Sequence, residues 1–124
     1  MAKKVQSSSV ETLVAVIVYG LQEKKGIDIV SIDLRKIPNA FTDFFVICHG
    51  GSARQVDALA DSAEDEVRKA LQEKPAFREG NDESEWVLLD YINVVVHIFS
   101  GDKRDFYQLE ELWGDGTISK HETQ

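Results

Sequence analysis

Gly50-Gly51-Ser52 leads out of an apolar run and into a helix-forming one, the first place in this chain where residue types suggest chemistry. Exposed amides at a helix N-terminus attract anions, so such a turn could hold the phosphates of a nucleotide. Metal-dependent nucleotidyl transfer would then need at least two carboxylates converging on the metal. No Asp-x-Asp follows the turn; the next acids, Asp57 and Asp61, stand four apart on the helix itself, as ordinary solvated charges do. The plainer reading of the glycines is a tight strand-to-helix turn. Cys48, His49, His97 and His121 show no metal-ligand spacing, and adjacent Cys48 and His49 point to opposite faces of a strand. Cys48 lies in an apolar strand without the positive neighbour that activates a thiol. No catalytic constellation survives, and neither cofactor nor metal is expected.

A second distinctive group lies in Glu85-Trp-Val-Leu-Leu-Asp-Tyr91, followed by Val94-Val-Val-His-Ile-Phe99. Read as a hairpin turning at Ile92-Asn93, it pairs Tyr91 with Val94, Asp90 with Val95, and so on down to Trp86 with Phe99. Alternate strand residues point to opposite faces. One face then holds Val87, Leu89, Tyr91, Val94, Val96 and Ile98, which suits a core beneath helices. The other holds Trp86, Leu88, Asp90, Val95, His97 and Phe99: apolar and aromatic, with one carboxylate and one imidazole. Large apolar patches rimmed by polar groups usually have a partner; the competing reading is a sheet covered on both sides. His97 reads as a switchable charge or as a hydrogen-bonded surface or interface residue.

The elements that must position these residues follow from periodicity and capping. A first helix is expected from Ser8, with Glu11 at the capping-box position and Val10, Leu13, Val14, Ile17 and Leu21 as its buried stripe. Gly26 is expected to close it in the left-handed conformation. Ile27–Leu34 and Asp43–Cys48 read as strands separated by a turn at Pro38-Asn39. Ser52, with Gln55, caps a second helix whose inner face is Val56, Leu59, Ala60, Ala63, Val67, Ala70 and Leu71, and Pro75 stops it. A short edge strand and loop span 77–85, the hairpin follows, and Asp102 opens a last helix carrying Phe106, Leu109 and Trp113. The organisation expected is a disordered N-terminus (1–7), a single domain (8–115) and a polar, frayed tail (116–124). The fold class is α/β in the α+β sense: a mixed sheet of four or five strands, both long helices on its aliphatic face, the opposite face largely open.

A chain of 124 residues buries about two thirds of its unfolded surface as one domain. No apolar run reaches the ~20 residues that cross a bilayer, and one cysteine excludes an internal disulfide and fits a reducing, cytoplasmic setting. The net charge of −8 argues against nonspecific phosphate binding, which needs clustered Lys and Arg, and no direct sequence-specific nucleic-acid binding is expected. From Asp57 to Asp90 eleven acids face four bases, whereas Met1 to Lys25 holds four bases and two acids. An acidic surface favours encounter with a basic partner.

Seven segments in order carry a resemblance: Lys25-Gly26-x-Asp28-Ile29, Asp33-Leu34-Arg35, Asp43-Phe44-Phe45-Val46-Ile47-Cys48, Ser52-x-Arg54-Gln55-Val56, Glu85–Tyr91, Val94–Phe99, and Arg104-x-Phe106-Tyr107-x-Leu109-Glu110-x-Leu112-Trp113-Gly114. Together they resemble the ribosomal silencing factor, or Iojap-like, family over about Ser8 to Asp115. The resemblance implies a nucleotidyltransferase-like fold without the catalytic acids, hence no enzyme. It implies a translational repressor that binds the large ribosomal subunit through its fourteenth ribosomal protein and blocks subunit joining when nutrients are short. It also implies a homodimer. Its basic partner would meet Trp86 and Leu88 as apolar anchors, Asp90 as a counter-charge, and His97 and Tyr91 as hydrogen-bond donors. Tyr107, Leu109 and Trp113 would extend the patch, or, for the last two, pack on the sheet edge. The chain departs from its relatives at Ile92-Asn93, where Gly-Asp is frequent; a β-branched residue disfavours the positive φ of a two-residue turn, so a wider or strained turn is expected.

Overall fold

Val10, Leu13, Val14, Ile17 and Leu21 bury one stripe of a helix running from Gln6 to Glu23 (α1), two residues longer at its start than the capping pattern predicts. The computed structural model describes residues 6–80, 83, 85–101 and 116–122. Lys25, not Gly26, takes the left-handed conformation after α1, at φ 61°. Its N–H donates to the Gln22 carbonyl at 3.0 Å, and that of Gly26 to the Leu21 carbonyl at 2.9 Å, the bond pair that commonly terminates helices. Gly26 serves space instead: a Cβ there would lie 3.2 Å from Leu59 Cδ2 and 3.4 Å from Cys48 Sγ.

The remaining elements are β1 (Ile27–Asp33), β2 (Phe44–Gly50), α2 (Ala53–Leu71), β3 (Phe77–Gly80), β4 (Trp86–Asp90), β5 (Val94–Ser100) and β6 (Thr117–His121). They form one six-stranded sheet in the order β3-β4-β5-β2-β1-β6. Among the described strands only β2 and β5 pair in parallel; the other neighbours are antiparallel. The α+β class and the edge strand at 77–80 match expectation, while the strand count exceeds it by one. That extra strand is the tail read as frayed. Thr117–Lys120 are exposed, so β6 is held by its backbone ladder to β1, by Ser31 Oγ against His121 Nε2 at 2.9 Å, and by Gln22 Nε2 donating to the Glu122 carbonyl at 2.8 Å. Residues 1–5 and 102–115, with the expected last helix, lie outside the described residues.

Both helices cover one face, as expected. Leu13, Ile17 and Leu21 of α1 and Val56, Leu59, Ala63 and Val67 of α2 share a core with Ile29, Val46, Cys48, Leu89, Val96 and Ile98. The helices meet closely at Gly20, whose carbonyl accepts a hydrogen bond from Ser62 Oγ at 2.7 Å. A Cβ on Gly20 would lie 2.9 Å from Ala63 Cα and 3.0 Å from the Ser62 carbonyl oxygen. Those are backbone atoms, which can yield only by moving a helix. Gly20→Ala is therefore expected to destabilise the fold by about 1–3 kcal/mol despite alanine's better helix propensity, as read by urea denaturation. An unchanged midpoint would show that the helices separate freely.

Candidate functional site

Ser52 and Gln55 build the turn that suggested phosphate binding, and they use its amides themselves. Ser52 Oγ accepts the Gln55 N–H at 3.2 Å, capping α2 as predicted. Gln55 does not return the bond to Ser52. Its Oε1 takes the Gly51 N–H at 2.7 Å, while its Nε2 donates to the Lys24 and Lys25 carbonyls at 3.1 and 3.2 Å. One glutamine thus ties the start of α2 to the end of α1 and occupies an amide that a phosphate would need. Asp57 and Asp61 are exposed on α2, and Asp61 pairs with Arg78.

The β4–β5 hairpin has the pairing predicted for it, from Trp86 opposite Phe99 to Asp90 opposite Val95. Directly opposed residues share a face, so the ladders lay out the second face of the sheet in rows. One runs Phe77, Asp90, Val95, Phe45, Ile32, Ile118, and the next Glu79, Leu88, His97, Ile47, Val30, Lys120. Trp86 and Phe99 begin a third with His49. The middle of this face is not open, contrary to expectation. Val30, Ile32, Leu34, Phe45, Ile47, Val95 and Phe99 form a second core, against which Ile37 and Ala40 of the β1–β2 connection pack together with Trp86 and Leu88. Phe41 adds an edge-on contact with Phe45 at 5.7 Å. The strand pattern marks this face as apolar, but it carries no information on how the connection folds back across it.

Among the described residues this face stays open at its two edges, at Ile118 and Lys120 of β6 and along the β3–β4 flank; only the second sets aromatic and aliphatic side chains beside carboxylates. Phe77 and Glu79 are exposed, and Trp86, Leu88 and Asp90 are half-buried. Arg78, between Phe77 and Glu79, points the other way and bonds Asp61 and Glu64 of α2 at 2.9 and 2.7 Å. That fork fixes the orientation of β3, and with it the outward aim of Phe77. The flank is an apolar strip of Phe77, Trp86 and Leu88 fringed by the carboxylates of Glu79 and Asp90. Phe77 and Glu79 were missed in the sequence; only the alternation around Arg78 could have found them.

The other predicted residues divide. His97 is 8% exposed, stacks on Phe99, meets Phe45 edge-on, and accepts a long 3.4 Å hydrogen bond at Nδ1 from the Trp86 indole. Its Nε2 is buried without a partner among the described residues. Tyr91 belongs to the helix-side core, where its buried hydroxyl has no hydrogen-bond partner among the described residues and burial, then Glu64 and Glu73, raise its pKa. It does not reach the strip. Tyr107, Leu109 and Trp113 lie outside the described residues.

The hairpin turn keeps its two-residue register and is strained. Ile92 has φ 75°, and the Asn93 N–H donates to the Tyr91 carbonyl at 2.9 Å across a three-residue turn. A left-handed conformation costs a non-glycine residue about 1–2 kcal/mol. Asp90 Oδ1 accepts the Ile92 N–H at 2.8 Å, Thr42 Oγ1 donates to the Ile92 carbonyl at 2.9 Å, and the Asp43 and Phe44 amides donate to the Asn93 carbonyl at 3.1 and 3.2 Å.

A sequence model described as "Ribosomal silencing factor during starvation" matches residues 6–124. The chain belongs to the ribosomal silencing factor family. It is 42% identical over 98 residues to the ribosomal silencing factor of Bacillus subtilis, covering 78% of this chain and 80% of that one. A crystal structure of a Chromobacterium violaceum protein superimposes with a TM-score of 0.78 at 33% identity, covering 85% of this chain and 86% of the other. A mouse protein named "Mitochondrial assembly of ribosomal large subunit protein 1" is 31% identical over 75 residues, 59% of this chain and 33% of its own length.

The buried imidazole sets a pH dependence. Burial lowers the His97 pKa from its ordinary 6.5 to about 4, so the ring is neutral at physiological pH and is no switch there. Between pH 6.5 and 4 the unfolded chain binds a proton that the folded chain refuses. Stability therefore falls as pH drops through that window, by on the order of 3 kcal/mol from this group. His121 is shifted in the same direction, also by burial. Denaturation of wild type and His97→Phe across pH 4–7 isolates the His97 contribution: the wild-type loss is expected to be the steeper, and parallel curves would contradict it.

Proposed function

We propose that this chain is a non-enzymatic translational repressor that binds the large ribosomal subunit through a basic ribosomal protein, the fourteenth, on the side that meets the small subunit. Its bulk then blocks subunit joining sterically, damping translation when nutrients are short. The observation that carries this reading is family membership over residues 6–124. The family's description names starvation, and the mouse relative's name refers to assembly of the ribosomal large subunit. The cytoplasm is its place of action, it associates as a homodimer, and it makes no direct sequence-specific contact with nucleic acid.

The open β3–β4 flank supports the docking position. Aromatic side chains that remain half-exposed on a rigid strand are the residues that dominate interfaces, and Trp86 and Leu88 stand on a two-core sheet that holds them in place. Asp90 supplies a counter-charge to lysine or arginine: Oδ1 is engaged with Ile92, and Oδ2 has no partner among the described residues. His97 acts beneath the surface, as the acceptor that orients the Trp86 indole.

Purified protein is expected to co-sediment with isolated large subunits and not with small ones, and Trp86→Ala to weaken that binding by ~1–2 kcal/mol while the fold persists. Equal affinity for both subunits would refute the specificity. Asp90→Asn retains the turn acceptor and removes the charge, so its association should be slower and less salt-dependent than wild type, with Tm unchanged. With nucleotides and magnesium the chain should show no turnover; sustained transfer abolished by Asp57→Ala would make it an enzyme.

A further inference from the structure

We propose that Ile92, at the tip of the β4–β5 turn, is a docking contact that, with Phe41 and Phe77, carries the apolar strip around the end of the sheet onto the same cationic protein surface. For its partner this rests on the docking reading above. Ile92, Phe41 and Phe77 are 58%, 68% and 58% exposed, the most exposed large hydrophobic residues among those described. The fold gathers them at one end. Phe77 stands opposite Asp90 across the β3–β4 ladder, the Asp90 carboxylate holds the Ile92 amide, and Thr42, the neighbour of Phe41, holds the Ile92 carbonyl.

The backbone supplies the second observation. Isoleucine is among the residues least suited to φ 75°, and more than half of its surface stays in water, so the fold recovers little from it. Glycine or asparagine would sit there with less strain. Strain held at an exposed position points to a function outside the fold. Here it aims an apolar side chain outward, on a turn pinned from both sides.

Charge selects the occupant. Asp43 and Asp90 flank the tip, and Glu79 lies one row further along the strip. A cationic surface with an apolar hollow complements that arrangement. A second copy of this chain, meeting the tip across a two-fold axis, would set the same acids against each other.

The test compares wild type, Ile92→Gly, Ile92→Asn and Trp86→Ala for affinity to isolated large subunits, for Tm, and for self-association by sedimentation equilibrium. Both Ile92 variants should keep the wild-type Tm or exceed it by up to about 5 °C, and should bind large subunits about fivefold more weakly, as losing a partly buried aliphatic contact implies. Subunit affinity within about twofold of wild type overturns the proposal, whether or not self-association changes. A lower Tm in both variants overturns the strain on which it stands. If Trp86→Ala binds weakly while the Ile92 variants bind normally, only this proposal falls; if wild type ignores the large subunit, the docking reading falls with it.

Discussion

Antiparallel pairing of β4 with β5 in a single register is the constraint on which the rest of this molecule depends. Side chains alternate with a period of two, so a slip by one residue would exchange the faces. If β4 slipped against β5, Trp86, Leu88 and Asp90 would turn beneath the helices, while Val87 and Leu89 would move onto the open flank of the second face. Burial favours the observed pairing strongly, because Val87 and Leu89 are each no more than 5% exposed. The turn also locks it from the end: Tyr91 donates to Val94 at 2.8 Å, and the residues entering β2 bond the carbonyls of Ile92 and Asn93. A strained tip persists because so many bonds over-determine it.

From that register the two faces acquire different tasks. The helix side is a continuous aliphatic core, closed by the tight α1–α2 approach at Gly20 and by the Gln55 clamp between helix ends. The second side is sealed over β5, β2 and β1 and open along β3 and β4. Arg78 contributes to that division from the reverse side. Its bonds to Asp61 and Glu64 are partly exposed, and pairs of that kind are worth little as stability. Their effect is directional, since alternation leaves Phe77 and Glu79 nowhere to point but outward. A rigid apolar strip with acidic edges follows, and a basic protein neighbour is the partner that such a surface suits.

Much of this was legible in the chain itself. Alternating apolar residues from Trp86 to Phe99 specify the hairpin and its register, Ser52 and Gln55 specify the start of α2, and helical spacing specifies which sides of α1 and α2 are buried. The misses share a physical cause. β6 escaped because an exposed edge strand is held by backbone bonds, which leave no hydrophobic pattern. Gly26 stands where a helix-closing glycine is expected but is needed for room, a distinction that depends on Leu59 and Cys48, both distant in sequence. The second face looked open because Ile37 and Ala40 reach it only through a loop path that periodicity does not encode. Alternation directs Tyr91 toward the helices, as observed, and its hydroxyl does not reach the rim because it is buried in the helix-side core. Phe77 and Glu79 hide in a strand too short to show alternation.

In the proposed docking the β3–β4 flank, and not the helix face, meets a basic protein of the large subunit. A photo-crosslinking amino acid in place of Leu88, with the same replacement at exposed Tyr19 on α1 as the opposing control, reads out that contact. Irradiation with purified ribosomal subunits should join position 88 to one basic large-subunit protein and leave position 19 unjoined. Crosslinks from position 19 to that protein, or from position 88 to the small subunit alone, would rule this docking out.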